Sequence, residues 1–170
     1  SQKGYCHSFG EEADGFLPGE GVAAIVLKPL SEAVNDGDRI HGVISGTGIS
    51  HSGKTAGYTV PGPVAVGELV SSTLARAGID FSTVDYIEAH GTGTSLGDPI
   101  EIRALRRAAD QSSETLDAQA CAIGSIKSNI GHLESAAGLA GIIKVLLQLR
   151  HRRLAPSLHA GKVNPEITFE

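Results

Sequence analysis

Residues Ala122 to Leu149, AIGSIKSNIGHLESAAGLAGIIKVLLQL, constrain the fold more than any other stretch. Ala122 to Ile126 are apolar and tolerate a strand; Lys127, Ser128, Asn129 and Gly131 then break the run. From Leu133 onward apolar residues recur at helical spacing, so the order is strand, tight turn, helix. Leu139, Ile142, Ile143, Leu146 and Leu147 make one apolar stripe, which predicts a helix anchored in a core with its N-terminus close to His132. Gly138 and Gly141 each cost about 1 kcal/mol of helix propensity against Ala. Their presence predicts another backbone packed very close to that helix. Lys127 and His132 are thereby placed on a rigid turn.

A chain of 170 residues can bury about 70% of its unfolded surface, which suits one domain. It begins Ser-Gln-Lys, holds no methionine and ends on a strand-like Ile167-Thr168-Phe169, so both ends are expected to be cut from something longer. Lys and Arg total 14 against 19 for Asp and Glu, a formal charge of −5. That balance disfavours a nucleic-acid partner. Arg150, His151, Arg152 and Arg153 are the nearest thing to a basic patch, and they suit a solvated helix C-terminus. Cys6 and Cys121 show no paired-cysteine motif and no metal-ligand spacing, which points to a reduced, cytoplasmic protein without a metal. No apolar run nears the roughly 20 residues needed to cross a bilayer, so no membrane partner is expected.

Taken in order, ADGFLPGEG (13–21) is turn-rich, and VAAIVL (22–27) is a continuous apolar run that predicts a strand buried on both faces. Ser31 to Val34 is a short helical segment ahead of the turn 35–38, and 40–49 reads as a second strand broken by glycines. GISHSGKT (48–55) matches the phosphate-loop pattern, but that loop must open a helix whose N–H groups face the phosphates. The residues that follow, AGYTVPGP, cannot be a helix. Val64 to Ala77 has helical spacing and Gly78 supplies a C-cap. Val84 to Ala89 is a strand that delivers His90 into HGTGTSLG. Asp98, Pro99 and Glu101 then read as N-cap, first position and third position of a helix whose buried face is Ile102, Leu105 and Ala109. Residues 111–119 form a polar loop, Pro156 ends the last helix and 159–165 is loop. The alternation favours an α/β sheet with helices on its faces.

Twice an apolar strand ends, a histidine or lysine follows among glycines and hydroxylated residues, and a helix starts. If the two strands are sheet neighbours, His90 and His132 share the carboxyl edge where α/β folds place ligands. Two neutral imidazoles and Lys127 facing one cavity would stabilise negative charge on an oxygen without acting as nucleophiles. Lys127 is equally an ordinary cation pairing a buried carboxylate, and Thr92, Thr94 and Ser95 are equally local backbone caps. His7, His41, His51, His151 and His159 read as surface or structural. Gly91, Gly93 and Gly97 also suggest a dinucleotide loop, but their spacing is G-x-G-x-x-x-G, and a nucleotide site is the runner-up.

At EAHGTGTSLGDPIEI (88–102) and GSIKSNIGHLESAAGLAGIIKVLL (124–147) the chain resembles the β-ketoacyl synthase family, in particular ketosynthase domains of modular polyketide synthases. ADGFLPGEG, GKTAGYTVP and PSLHAGKVNPEITFE fit the same pattern in the same order, so the resemblance covers essentially the whole chain. It implies a thiolase-like fold, layered α-β-α-β-α, incomplete here: residues 1–40 would end the N-terminal half and 41–170 would form most of the C-terminal half. It implies decarboxylative Claisen condensation of a malonyl unit with an enzyme-bound acyl chain. On that resemblance His90 and His132 bind the malonyl thioester and stabilise its enolate, while Lys127 positions His132. Thr92, Thr94 and Asn129 are substrate-binding, the threonines at the phosphopantetheine arm. No cofactor is bound by the domain itself; the arm belongs to an acyl carrier protein. The implied partners are that carrier protein, the remaining part of the ketosynthase domain and a second copy in a homodimer. The SHSGKT loop and the last twenty residues look closest to synthases served by a separate acyltransferase.

The family's nucleophile is a cysteine in a motif like D-T-A-C-S-S, and no such motif occurs in residues 1–170. The chain alone is therefore expected to be inactive. A degenerate, non-catalytic scaffold domain is the alternative from a different class.

Overall fold

The computed structural model of the protein describes residues 1–53, 62–112 and 121–169. Most of the GKTAGYTVP loop, with the lysine and threonine of the phosphate-loop match, and nearly all of the loop expected at 111–119 lie outside them.

Two short strands, β1 (Tyr86–Glu88) and β2 (Ala122–Gly124), pair in parallel with Tyr86 opposite Ala122 and Glu88 opposite Gly124. Tyr86, Ile87 and Ile123 are the strand-favouring residues of the pair. Their parallel run means that the chain leaves both at the same edge, which brings His90 and Lys127 to one side of the sheet, as the repeated strand-to-helix pattern predicts. The helices in chain order are α1 (Leu30–Asn35), α2 (Pro63–Ala77), α3 (Gly97–Ala109), α4 (Lys127–Ile130) and α5 (Ala137–His151). α2 starts on Pro63, where a missing N–H costs nothing, and stops at Gly78, whose φ of 67° closes the C-cap. It packs along α3. Phe9, Ala89, Ile102, Leu105 and Ile167 form the core, with Val70, Ile87 and Ile123 packed against it. The loop at either end of the chain joins there: Gly10 bridges Val163, and Phe9 accepts the Asn164 N–H.

Several expectations are corrected. Residues 22–27 and 40–49 form no strands; Val22, Val26 and Ile49 are almost wholly exposed. A strand needs a hydrogen-bonding neighbour, and among the described residues these two runs have none. Residues 167–169 likewise form no strand, although Ile167 is buried. The stripe on α5 is not its buried face: Ile142 and Leu147 are exposed, while Gly141, Lys144 and Gln148 point inward. The reason is electrostatic, because Glu88 of β1 lies under α5 and Lys144 neutralises it at 2.7 Å. Gly141 does mark a close approach, with its missing Cβ 3.1 Å from the Glu88 side chain rather than from a backbone, whereas Gly138 faces open space. Lys127 to Ile130 make one helical turn instead of a tight turn. Finally, α3 begins two residues early, so Asp98 lies inside the helix rather than at its N-cap. The Thr94 hydroxyl accepts the Gly97 N–H instead.

Candidate active site

The loop after β1 is held by two carboxylates three positions apart in the first two turns of α3. Glu101 accepts the His90 N–H at 2.6 Å and the Gly91 N–H at 2.8 Å. Asp98, buried to 1% exposure, accepts from Phe9 at 2.7 Å and from Gly93 at 3.2 Å. Three of these donors lie in a tight glycine turn and the fourth, Phe9, in the N-terminal loop, so the acidic residues replace a ladder that neither loop makes there. Gly91 has φ 41°, and a Cβ there would stand 2.7 Å from that of Ser125. Burial pushes both carboxyls up, opposed by these N–H groups and by the Lys127 charge.

The second loop is pinned by the ADGFLPGEG turn. His132 donates its main-chain N–H to Leu17 at 2.8 Å and accepts from Gly19 at 3.0 Å, a parallel bridge at Pro18. Gly131 sits at φ 76° with its missing Cβ 2.8 Å from the Leu17 carbonyl, so no side chain fits there.

These two loops bring His90 and His132 together, their ring centroids 5.4 Å apart and their planes at 85°. Phe16 packs edge-on against the other side of His132 at 5.3 Å. Lys127 opens α4 beside them and is only 4% exposed. Among the described residues its ammonium makes no ion pair and no hydrogen bond. His90, Lys127 and His132 all line one cleft, bordered also by Glu88, Glu134 and the apolar side of α5.

The electrostatics keep the imidazoles neutral. His90 is open to the cleft, yet the protein crowded around its ring lowers its pKa to about 4, with the Lys127 charge and His132 acting in the same direction. His132 is lowered by burial and then by Lys127, against the pull of Glu134. Lys127 itself is lowered by burial, with Glu101, Glu88, Cys6 and Asp98 opposing. The Glu134 N–H donates to His132 Nδ1 at 2.9 Å, which assigns the proton of the neutral ring to Nε2. A fixed N–H donor therefore remains free for a ligand oxygen.

The described residues offer no nucleophile to match. Cys6 is 1% exposed and its sulfur accepts the Leu17 N–H at 3.1 Å. The Cys121 thiol is pushed up by burial and by Asp85. No group of His, Cys, Asp and Glu among the described residues is arranged to hold a metal. Thr92 and Thr94 are half-buried on the loop after His90, and Asn129 is exposed with its Oδ1 accepting from Ser128; none of the three lines the cleft. The sequence reading missed Phe16, Glu88, Asp98, Glu101 and Glu134 as parts of this arrangement. A lone aromatic inside a glycine-rich turn and a glutamate ending an apolar strand were the available signals.

Residues 41–161 match the family described as beta-ketoacyl synthase, C-terminal domain, and residues 1–33 match the beta-ketoacyl synthase N-terminal domain. Among curated relatives, polyketide synthase PksL of Bacillus subtilis is 60% identical over 169 residues, 99% of this chain and 4% of that protein. Polyketide synthase ThaG of Burkholderia thailandensis is 56% identical over 170 residues, the whole of this chain and 3% of ThaG. Among solved structures, the ketosynthase from module 6 of the Bacillus subtilis bacillaene synthase is 45% identical with a TM-score of 0.96. The match covers 100% of this chain and 30% of that one. The oxazolomycin ketosynthase domain OzmH KS7 of Streptomyces albus is 51% identical with a TM-score of 0.93, over 98% of this chain and 29% of its own. The thiolase-like α/β fold is thus shared with solved ketosynthases, of which the chain spans less than a third. The chain belongs to the β-ketoacyl synthase family and corresponds to part of a ketosynthase domain of a modular polyketide synthase.

Proposed function

We propose that His90, His132 and Lys127 form the malonyl-decarboxylating half of a ketosynthase site. The observation that carries this reading is the pair of imidazoles 5.4 Å apart, one with its Nδ1 already accepting a main-chain N–H, beside a buried ammonium that has no ion pair among the described residues. Such donors fit an oxygen that becomes anionic during reaction. The malonyl thioester carbonyl would accept hydrogen bonds from both rings. As the bond to the carboxylate breaks, carbon dioxide leaves and the electron pair enters the enolate, whose oxygen the imidazoles hold. The enolate carbon then attacks the acyl thioester, forming the new carbon–carbon bond and releasing the thiolate of a cysteine supplied from outside residues 1–170.

Burial disfavours protonation of both rings and the Lys127 charge adds to it, so they donate without becoming cations. The malonyl unit arrives on the phosphopantetheine arm of an acyl carrier protein, with Thr92, Thr94 and Asn129 as its outlying contacts. The working unit is the complete domain, paired as a homodimer, and the chain alone does not condense.

Replacing His132 by Ala in the intact domain is expected to cut carbon dioxide release from malonyl carrier protein by about 100-fold or more. Release at the unmodified rate would end the assignment.

A further inference from the structure

Beneath Lys127 lies a second charged cluster that the decarboxylation chemistry does not use. Glu88, the last residue of β1, accepts the Ile126 N–H on Oε1 at 2.6 Å. Its Oε2 accepts from Lys144 Nζ and from the Tyr86 hydroxyl, both at 2.7 Å, and Lys144 also donates to the Tyr86 oxygen at 2.7 Å. The ion pair is buried, with side chains 8% and 11% exposed. Two glycines make room for it: a Cβ on Gly124 would stand 2.6 Å from the Tyr86 hydroxyl, and one on Gly141 would stand 3.1 Å from Glu88.

We infer that Tyr86, Glu88 and Lys144 are a positioning unit for Lys127, one that fixes the turn carrying it while keeping the Glu88 charge occupied elsewhere. The inference rests on the decarboxylation reading and deepens it. Ile126 is the N-cap of α4, so the bond from its N–H to Glu88 sets where Lys127 leaves the sheet. The Glu88 charge also acts on Lys127 electrostatically, alongside that of Glu101. A buried carboxylate without a cation is strongly unfavourable. With Lys144 present, Glu88 has its counter-ion, and Lys127 stays unpaired toward the cleft. Without Lys144, Lys127 is the cation left facing Glu88.

The consequence is a specific pH effect. The charged and titratable groups facing Lys127 are Glu88 from β1, Asp98 and Glu101 from α3, and Cys6 from the N-terminal loop. Those facing the imidazoles are Lys127, Glu134 and each other. If Glu88 captures Lys127, the positive charge that adds to burial in keeping both rings neutral is diverted. Their pKa values then rise, and neutral rings are found only at higher pH.

The test uses the complete ketosynthase domain. In Lys144→Met the acid limb of malonyl carrier-protein decarboxylation should move up by about one pH unit, whereas Lys144→Arg should leave it in place. The double variant Glu88→Gln with Lys144→Met should return it, and Glu88→Gln alone should move it down, which serves if the Lys144→Met protein does not fold. A nitrogen-15 histidine titration followed by NMR should show the same shifts at His132 without requiring turnover. Profiles that differ only in height, or a double variant that keeps the shift, would overturn the inference. Failure of the wild-type domain to release carbon dioxide would instead overturn the decarboxylation reading, leaving the titration to judge the positioning unit.

Discussion

At the scale of single residues, the site depends on groups that hold backbone rather than substrate. Glu101 takes two main-chain N–H groups of the His90 turn, and a hydrogen bond to a charged group is worth about 1.5–3 kcal/mol. Glu101→Ala should therefore lower stability by roughly that amount or more and loosen His90, seen as a lower thermal midpoint with a fall in decarboxylation. The histidines give a signed expectation. With its folded pKa lowered to about 4 from an unfolded value of about 6.5, His90 binds fewer protons in the folded state across that window. Stability gained from it is then complete above the unfolded value and lost as pH falls through the window. Decarboxylation should persist well below pH 6.5, and a midpoint near that value would contradict the electrostatic account. His90, His132 and Lys127 were legible in the sequence because each follows an apolar strand and precedes a helix. Phe16 was not, since it reaches His132 across 116 positions of chain, and Glu134 was not, since it holds the ring through a main-chain N–H that any residue there would carry.

At the scale of elements, local signals served where the chain decides its own conformation. Glycine at the end of α2 placed that boundary, and the sheet neighbourhood that the two matching strand-to-helix passages required as a condition is met by the parallel pairing of β1 with β2. Those signals misplaced Asp98, because capping chemistry cannot show that a loop from elsewhere will claim its carboxylate. They also chose the wrong face of α5: apolar periodicity cannot reveal that Glu88 requires a buried lysine beneath that helix. Gly131 ties this scale to the site. Gly131→Ala would place a side chain against the Leu17 carbonyl at a positive φ, costing roughly 1–3 kcal/mol. Hydrogen exchange should then show a looser turn at His132, with α2 and α3 unchanged.

At the scale of the whole molecule, the run at 22–27, read as a buried strand, and the run at 40–49, read as a second strand, stand largely exposed without a paired strand among the described residues. The chain covers 29–30% of the solved ketosynthases it matches, so the missing neighbours belong, in our proposal, to the remainder of the domain. The chain alone should bind a hydrophobic dye strongly and the complete domain weakly. Equal binding would mean that these faces are not interior.

The central claim is that His90 and His132 address one developing oxyanion, and a double-mutant cycle on carbon dioxide release from malonyl carrier protein tests it most directly. With His90→Ala and His132→Ala made singly and together in the complete domain, the double variant should lose little more than the worse single one. Losses that multiply would show two rings acting independently and contradict the shared site.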